Sequence, residues 1–95
     1  AGDRYDPYAL FIQNNYHLIQ EQVAQGSGTS IEVIAQFYGC QKPLYNDARL
    51  TLNANYALLF DEKQGEKNIQ QKIEQVLLEN ELLRNECKNL PMNAT

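Results

Sequence analysis

The sequence predicts a small all-α domain of about four helices, arranged as two helical hairpins and joined by one disulfide. Apolar residues recur every three or four positions in four segments, and no segment alternates apolar with polar residues as a strand would. The two cysteines lie far apart in a chain of 95 residues, which has room for one domain, residues 1–95. The helices are predicted over about 7–25, 30–38, 46–60 and 67–89.

The first helix is predicted to begin at Asp6-Pro7. Asp accepts hydrogen bonds from the free N–H groups of a first turn, and Pro loses none at that position. Gly26 and Gly28 follow the helix and predict a hinge within residues 24–29. The apolar stripe of this helix consists of Tyr8, Phe11, Ile12, Tyr16, Ile19 and Val23.

The second helix carries a predicted capping box, in which Thr29 is the N-cap and Glu32 reaches back to it. Gly39 is placed to end the helix in a left-handed conformation. Its apolar stripe consists of Ile31, Ile34, Ala35 and Tyr38.

The third and fourth helices are also predicted from apolar stripes. The third stripe consists of Leu52, Tyr56, Leu59 and Phe60, and the fourth of Ile69, Ile73, Val76, Leu83, Cys87 and Leu90. Pro91 is expected to end the last helix, which leaves residues 91–95 as a frayed tail.

Cys40 and Cys87 would form one disulfide in an oxidising compartment, or two buried thiols in a reducing one. We predict the disulfide, which would stabilise the domain by about 4 kcal/mol in the chain-entropy model. The chain starts at Ala1 without Met or a basic-then-apolar leader, as a mature protein does after signal cleavage, although a trimmed chain would look the same. We therefore expect a periplasmic or secreted protein.

Composition argues against several classes of partner. The net charge is −4, and the Lys and Arg residues are dispersed rather than clustered, so we expect no nucleic-acid binding. No run of about 18 apolar residues exists, so we expect no membrane span. Asn and Gln together number twenty, as many as all charged residues, which favours contacts made by hydrogen bonds rather than by charge.

The residues that could carry out chemistry do not form a recognisable constellation. His17 is the single histidine, and it would have to lie beside a free thiol at Cys40 or Cys87 to support cysteine catalysis. The short spacings typical of zinc ligands are missing, and the carboxylates lie in charge-rich stretches expected to face water. Gly26-Ser27-Gly28 has no strand before it and no Lys-Ser or Lys-Thr after it, so it is not a phosphate loop. We expect no enzymatic activity, no metal and no cofactor.

Short motifs along the chain resemble one bacterial family. The hallmark of that family is an Ala-x-Gly-x-Gly-Glu hinge, and this chain has Ala24-x-Gly26-x-Gly28 followed by Thr29 in place of the Glu. The resemblance implies a small, exported, helical protein of unknown function, and it implies no activity. The other matching residues are Asn15-Tyr16, Leu18, Ile31, Ile34-Ala35, Gly39, Asn55-Tyr56 and Leu59-Phe60.

The tyrosines suggest how such a protein would act. Tyrosine is favoured at protein interfaces because its ring offers apolar area with a polar tip. Four of the six tyrosines fall at predicted helix ends or connectors, where partial exposure is expected, although they could instead cover the ends of a small core: Tyr5, Tyr8, Tyr38 and Tyr45. We predict a non-enzymatic protein that recognises another protein, of the inhibitor, toxin-immunity or stress-protective type.

The alternative is a homodimer built on a short coiled coil in the last helix. Heptad a positions would be Ile73, Asn80 and Cys87, and d positions would be Ile69, Val76, Leu83 and Leu90. A single Asn at an a position fixes the register of two-stranded coiled coils. The same stripe would equally pack on the other three helices.

Three asparagines are candidate buried polar positions: Asn15, Asn55 and Asn80. Asn15-Tyr16 and Asn55-Tyr56 belong to a weak internal repeat with an offset of forty residues, which either frames a groove or arises by chance. Asn93-Ala94-Thr95 matches the N-glycosylation pattern, which has no meaning in a bacterial protein.

Overall fold

A computed structural model describes residues 6–90, and within them the protein is all-α with one disulfide, as predicted. These residues form seven α-helices rather than the four expected. They are α1 Pro7–Asn14, α2 Tyr16–Gln25, α3 Thr29–Phe37, α4 Tyr45–Ala54, α5 Tyr56–Leu59, α6 Ile69–Glu79 and α7 Glu81–Glu86, with a 3-10 turn at Lys42–Leu44. The predictions for Tyr5, for the tail at 91–95 and for Asn93 lie outside the described residues.

The additional helices arise because three predicted helices are broken, each at an asparagine. Asn15 has φ −123° and ψ 21°, Asn55 has φ −109° and ψ 23°, and Asn80 is extended at φ −86° and ψ 115°. Asn favours such positions because its side chain can satisfy helix-end backbone groups. The Asn15 Nδ2 donates to the Phe11 carbonyl at 2.9 Å, and the Asn55 Nδ2 donates to the Thr51 carbonyl at 2.8 Å.

The turn between α2 and α3 differs from the predicted capping box. Gly26 ends α2 in the left-handed conformation at φ 77°, but the N-cap of α3 is Gly28, and Thr29 is already helical. The free N–H of Ser30 donates instead to the Gln22 Oε1 at 2.8 Å. Because α3 packs against α2, the Gln22 side chain lies at the N-terminus of α3 and caps it, whereas the N-cap residue Gly28 makes no side-chain bond there. The predicted hinge is therefore a turn held by a side chain from the preceding helix.

Residues 87–90, which we call the C-terminal clamp, close the fold against the end of α3. Gly39 is left-handed at φ 76°, as predicted. Next to it, the Asn89 N–H donates to the Tyr38 carbonyl at 2.9 Å, and the Asn89 Nδ2 donates to the Phe37 carbonyl at 3.2 Å. The Cys40–Cys87 disulfide joins the same two segments. The clamp thus ties the last part of the described chain to its middle.

The core forms where α2 and α4–α5 run antiparallel and α3, α6 and α7 cover them. The Gln20 Nε2 donates to the Tyr56 hydroxyl at 3.2 Å, and the Asn53 Nδ2 donates to the Val23 carbonyl at 2.9 Å, which establishes the antiparallel order. The largest fully buried side chains are Ile19, Ile31, Ile34, Leu52, Leu59, Ile73, Leu77 and Leu83. Within residues 6–90, no helix is long and apolar enough to cross a membrane.

The coiled-coil prediction for the last helix is wrong. Its apolar positions, from Ile69 to Leu90, are buried inside this one chain. The helix is broken at Asn80, and Cys87 is bonded to Cys40 of the same chain. The stripe therefore packs on the other helices, which was the competing interpretation.

Candidate functional site

Two of the predicted interface tyrosines are buried. Tyr8 is 9% exposed and Tyr38 is 5% exposed, so the expectation of partial exposure is wrong for both. The Tyr8 ring packs at 4.8 Å from the Phe37 ring and at 5.2 Å from the Tyr38 ring, because α1 lies across the end of α3. Tyr45 is half-buried against the core. Tyr8 and Tyr38 therefore cover the end of the core and cannot meet a partner.

Burial changes the chemistry of these phenols. It raises the pKa of Tyr8 well above its ordinary value of 10.0, and the neighbouring Tyr38 adds to the rise. Burial likewise raises the pKa of Tyr38, whose hydroxyl donates to the Glu74 Oε1 at 3.3 Å. Both phenols therefore stay protonated above pH 10, where an exposed tyrosine ionises.

The Asn-Tyr repeat marks two equivalent breaks, between α1 and α2 and between α4 and α5. Each Asn donates to the carbonyl four residues before it. The two tyrosines meet at a shared ring, since Tyr16 lies 5.7 Å and Tyr56 lies 5.1 Å from Phe60 between ring centroids. The repeat therefore describes a packing arrangement.

Two open cavities lie between α4–α5 and α6, and we refer to them together as the α4–α6 groove. It consists of a cavity of about 570 Å³ and a second of about 480 Å³. Their lining residues follow one another at spacings of three and four along the same helices, so the cavities lie end to end. One wall consists of Asp47, Leu50, Thr51, Ala54, Asn55 and Leu58, and the other of Asn68, Gln71, Lys72, Glu74, Gln75, Val76, Glu79 and Asn80, with Gln64 at one end.

The apolar part of the groove is a row on α4–α5. Leu50 is 59% exposed and Leu58 is 57% exposed, the highest values among the large apolar residues that lie exposed in the described chain. Ala54 lies midway between them in the sequence, four residues after Leu50 on α4, and Leu58 follows on α5 beyond the break at Asn55. The row leaves apolar area in water that a partner could cover. The other exposed large apolar residues of residues 6–90 are Leu10, Leu18 and Leu82.

The polar groups at the middle of the groove already bond one another. The Asn80 Nδ2 donates to the Thr51 Oγ1 at 3.0 Å, and the Asn80 Oδ1 accepts from the Leu83 N–H at 3.0 Å. The Asn55 Nδ2 is bonded to the Thr51 carbonyl. Asn55 and Asn80, two of the predicted buried polar positions, are thus joined through Thr51, whereas Asn15 lies at the other break.

Charge differs between the two ends of the groove. Asp47 and Glu79 lie at the end nearest Asn80, and both are negative. Lys72 and Glu74 lie at the opposite end, where their charges balance. The groove therefore has one acidic end and one neutral end.

Of the residues considered for catalysis or metal binding, the two cysteines are bonded to each other and the histidine is exposed at the surface. Cys40 and Cys87 form the disulfide, so neither supplies a thiolate. His17 is exposed on α2, with its ring edge-on to Tyr16 at 5.3 Å between centroids. Within residues 6–90, no three His, Cys, Asp or Glu side chains are grouped so as to hold a metal ion.

Sequence reasoning missed the groove. Leu50 and Leu58 fall outside the apolar stripe of their predicted helix, and that was the available signal. Leu10 and Leu18 occupy the positions forty residues earlier and are also exposed, although neither lines the groove.

Fold and surface together define a small, disulfide-linked helical domain with one apolar row exposed along a groove. The family described as "Protein of unknown function (DUF3015)" matches residues 5–87, and the chain belongs to this family. No curated protein and no solved structure matches the chain. The match agrees with the predicted membership of a family of unknown function, and the Ala-x-Gly-x-Gly-Glu hallmark stays a prediction.

Proposed function

We propose that this chain is an exported, non-enzymatic protein that recognises another protein through the α4–α6 groove. The observation that supports the proposal most directly is the exposure of Leu50 and Leu58 along the groove. Covering two half-exposed leucines favours association by about 1–1.5 kcal/mol each. Grooves with apolar anchor positions are a common form of protein-recognition site.

The proposals of export and of no cysteine catalysis both rest on the disulfide. A disulfide persists in oxidising compartments such as the periplasm or the extracellular space, which agrees with an exported protein. Because the disulfide occupies both thiols, cysteine catalysis has no nucleophile in this state. An inhibitor, a toxin-immunity protein or a stress-protective protein would each need a recognition surface of this kind.

The proposal is tested by affinity capture from the envelope fraction of the native host. The bait is the oxidised protein, compared with a groove variant, Leu50→Gln with Leu58→Gln, and a matched control, Leu10→Gln with Leu18→Gln. We expect one stoichiometric partner that the wild type and the control retain and the groove variant loses. The captured protein is then purified and its binding to all three baits is measured directly. Equal capture by the groove variant, or no partner at all, would refute the proposal.

A further inference from the structure

Resting on the proposed function, we propose that the partner presents a carboxylate side chain to Lys72 at the neutral end of the α4–α6 groove. This carboxylate lies next to an apolar side chain of the partner, which covers Leu58. The proposal thus specifies an acidic and apolar partner segment and places its acidic group at one end of the groove.

The Lys72 ammonium has no counterpart in the free protein. Its Nζ is buried and has no hydrogen-bond partner, and within residues 6–90 the one ion pair joins Arg49 to Glu32. A buried polar group without a partner is uncommon and costs free energy, the more so when it carries a charge. Lys72 lines the cavity, and the flexible stem of a lysine lets its ammonium turn into that space. The Lys72 ammonium therefore gains more from an added acceptor than an exposed lysine does.

Glu74 does not supply this acceptor, although it lines the same cavity. Residues two apart point to different sides of a helix, and the Glu74 Oε1 accepts instead from the Tyr38 hydroxyl at 3.3 Å. The two charges cancel in sum, and yet the Lys72 ammonium stays without an acceptor. Because one positive charge is available and a carboxylate is already nearby, the site suits a single negative charge better than a doubly charged phosphate group.

The rest of this cavity suits a peptide. Four further lining residues have side-chain amides that make no hydrogen bond within the described chain: Gln64, Asn68, Gln71 and Gln75. An amide side chain can both donate and accept, as the backbone of a bound peptide requires. Leu58, at 57% exposure, adds apolar area on the opposite wall. This end of the groove therefore has partners for a carboxylate, for backbone amides and for an apolar side chain.

The opposite end of the groove disfavours an acidic group. Asp47 and Glu79 lie there, and both are negative. Since like charges repel, a partner carboxylate is repelled from that end and attracted to Lys72. The charges of the two ends therefore set the position of the acidic residue along the groove.

The test uses a displayed library of random 12-residue peptides with no imposed pattern. Peptides are selected on the oxidised wild type, and their affinities are then measured for Lys72→Gln and for a matched control, Lys67→Gln. The control removes the same charge from an exposed lysine just before α6. We expect peptides with Asp or Glu next to an apolar residue, whose affinity falls about three- to tenfold for Lys72→Gln and is unchanged for Lys67→Gln.

A second measurement needs no ligand. Lys72→Met keeps an apolar stem and removes the charge, and Lys67→Met is its control. Because the Lys72 ammonium has no partner in the free protein, the midpoint of urea unfolding should stay the same or rise. A lower midpoint for Lys72→Met, with an unchanged one for the control, would show that the ammonium is already bonded and would overturn the inference.

Selected peptides without acidic residues, binding that is unchanged in Lys72→Gln, or no binders at all would also overturn it and leave the groove as a recognition site. Hexanoate, titrated into ¹⁵N-labelled protein, tests a free organic acid as the source of the carboxylate. Hexanoate binding at Lys72 without any acidic peptide would contradict its origin in a partner protein. The capture experiment with the Leu50 and Leu58 variants judges the proposed function separately.

Discussion

Replacing Gly39 with Ala should destabilise the protein far more than a glycine substitution usually does. At φ 76° an L-residue costs about 1–2 kcal/mol. The added Cβ would also lie 2.9 Å from the Asn89 nitrogen and 3.1 Å from the Lys88 nitrogen, both of them backbone atoms that cannot rotate away. The clamp must shift, which weakens the hydrogen bonds of Asn89 to Tyr38 and Phe37, worth about 0.5–1.5 kcal/mol each. The expected loss is about 2–5 kcal/mol.

Gly65→Ala provides the matched control. Gly65 is also left-handed, at φ 56°, but a Cβ there meets nothing within 4 Å among the described residues. It should cost about 1–2 kcal/mol, the backbone penalty alone. The difference between the two variants therefore measures the contact between α3 and the clamp.

The assay is urea unfolding of the oxidised proteins, followed by circular dichroism at 222 nm. The free energy of unfolding of each variant is compared with that of the wild type. If Gly39→Ala and Gly65→Ala lower the free energy of unfolding equally, within about 0.5 kcal/mol, the close contact of the clamp with Gly39 adds nothing and the prediction is wrong.

Three further outcomes follow. Replacing Cys40 and Cys87 together with Ser should lower the free energy of unfolding by about 3–4 kcal/mol, because the disulfide closes a loop with a sequence separation of 47, and a loss below 1 kcal/mol in urea unfolding would contradict this. The raised pKa values of Tyr8 and Tyr38 keep both phenols protonated in the folded state above pH 10, where unfolded tyrosine ionises. The free energy of unfolding should therefore fall with rising pH by up to about 1.4 kcal/mol per pH unit for each phenol. Tyr8→Phe should remove the contribution of Tyr8 to this pH dependence, which urea unfolding between about pH 9 and 11.5 measures. Asn53→Ala removes hydrogen bonds of 2.9 and 3.2 Å to the carbonyls at the end of α2, so it should lower the free energy of unfolding by about 1–2 kcal/mol. Replacing an exposed asparagine that makes no such bonds with Ala should lower it by less than about 0.5 kcal/mol.

Several predictions from local sequence are confirmed. Asp6 accepts from the Tyr8 and Ala9 N–H groups at 3.1 Å, as expected of the residue that begins the first helix. Gly39 is left-handed. Both depend on residues within four positions of each other, where the chain has few alternatives.

The helix breaks escaped prediction because the apolar stripe continues through them. Asn15 and Asn55 make their bonds within their own helices, and the same residues would be unremarkable on an exposed helix face. The high amide content has a related explanation. Rather than only facing water, amide side chains bond helix-end backbone groups, as Gln22, Asn53 and Asn89 do.

The candidate site was the least predictable feature. Tyr8 and Tyr38 were expected at an interface because they fall at helix ends, and they are buried because α1 crosses the end of α3. Leu50 and Leu58 lie outside the apolar stripe of their predicted helix, and only the packing of α6 beside α4–α5 makes them part of a groove.

The helical periodicity and the turn glycines could be predicted from the sequence, because they depend on local backbone preferences. The sequence left open whether Cys40 and Cys87 form a disulfide or remain thiols, and the fold joins them. The tertiary structure decided which amides bond which helix ends, which tyrosines are buried and where leucines remain exposed. Those outcomes depend on residues distant in the sequence, such as Val23 with Asn53 and Phe37 with Asn89, 30 and 52 positions apart, which meet only when the helices pack.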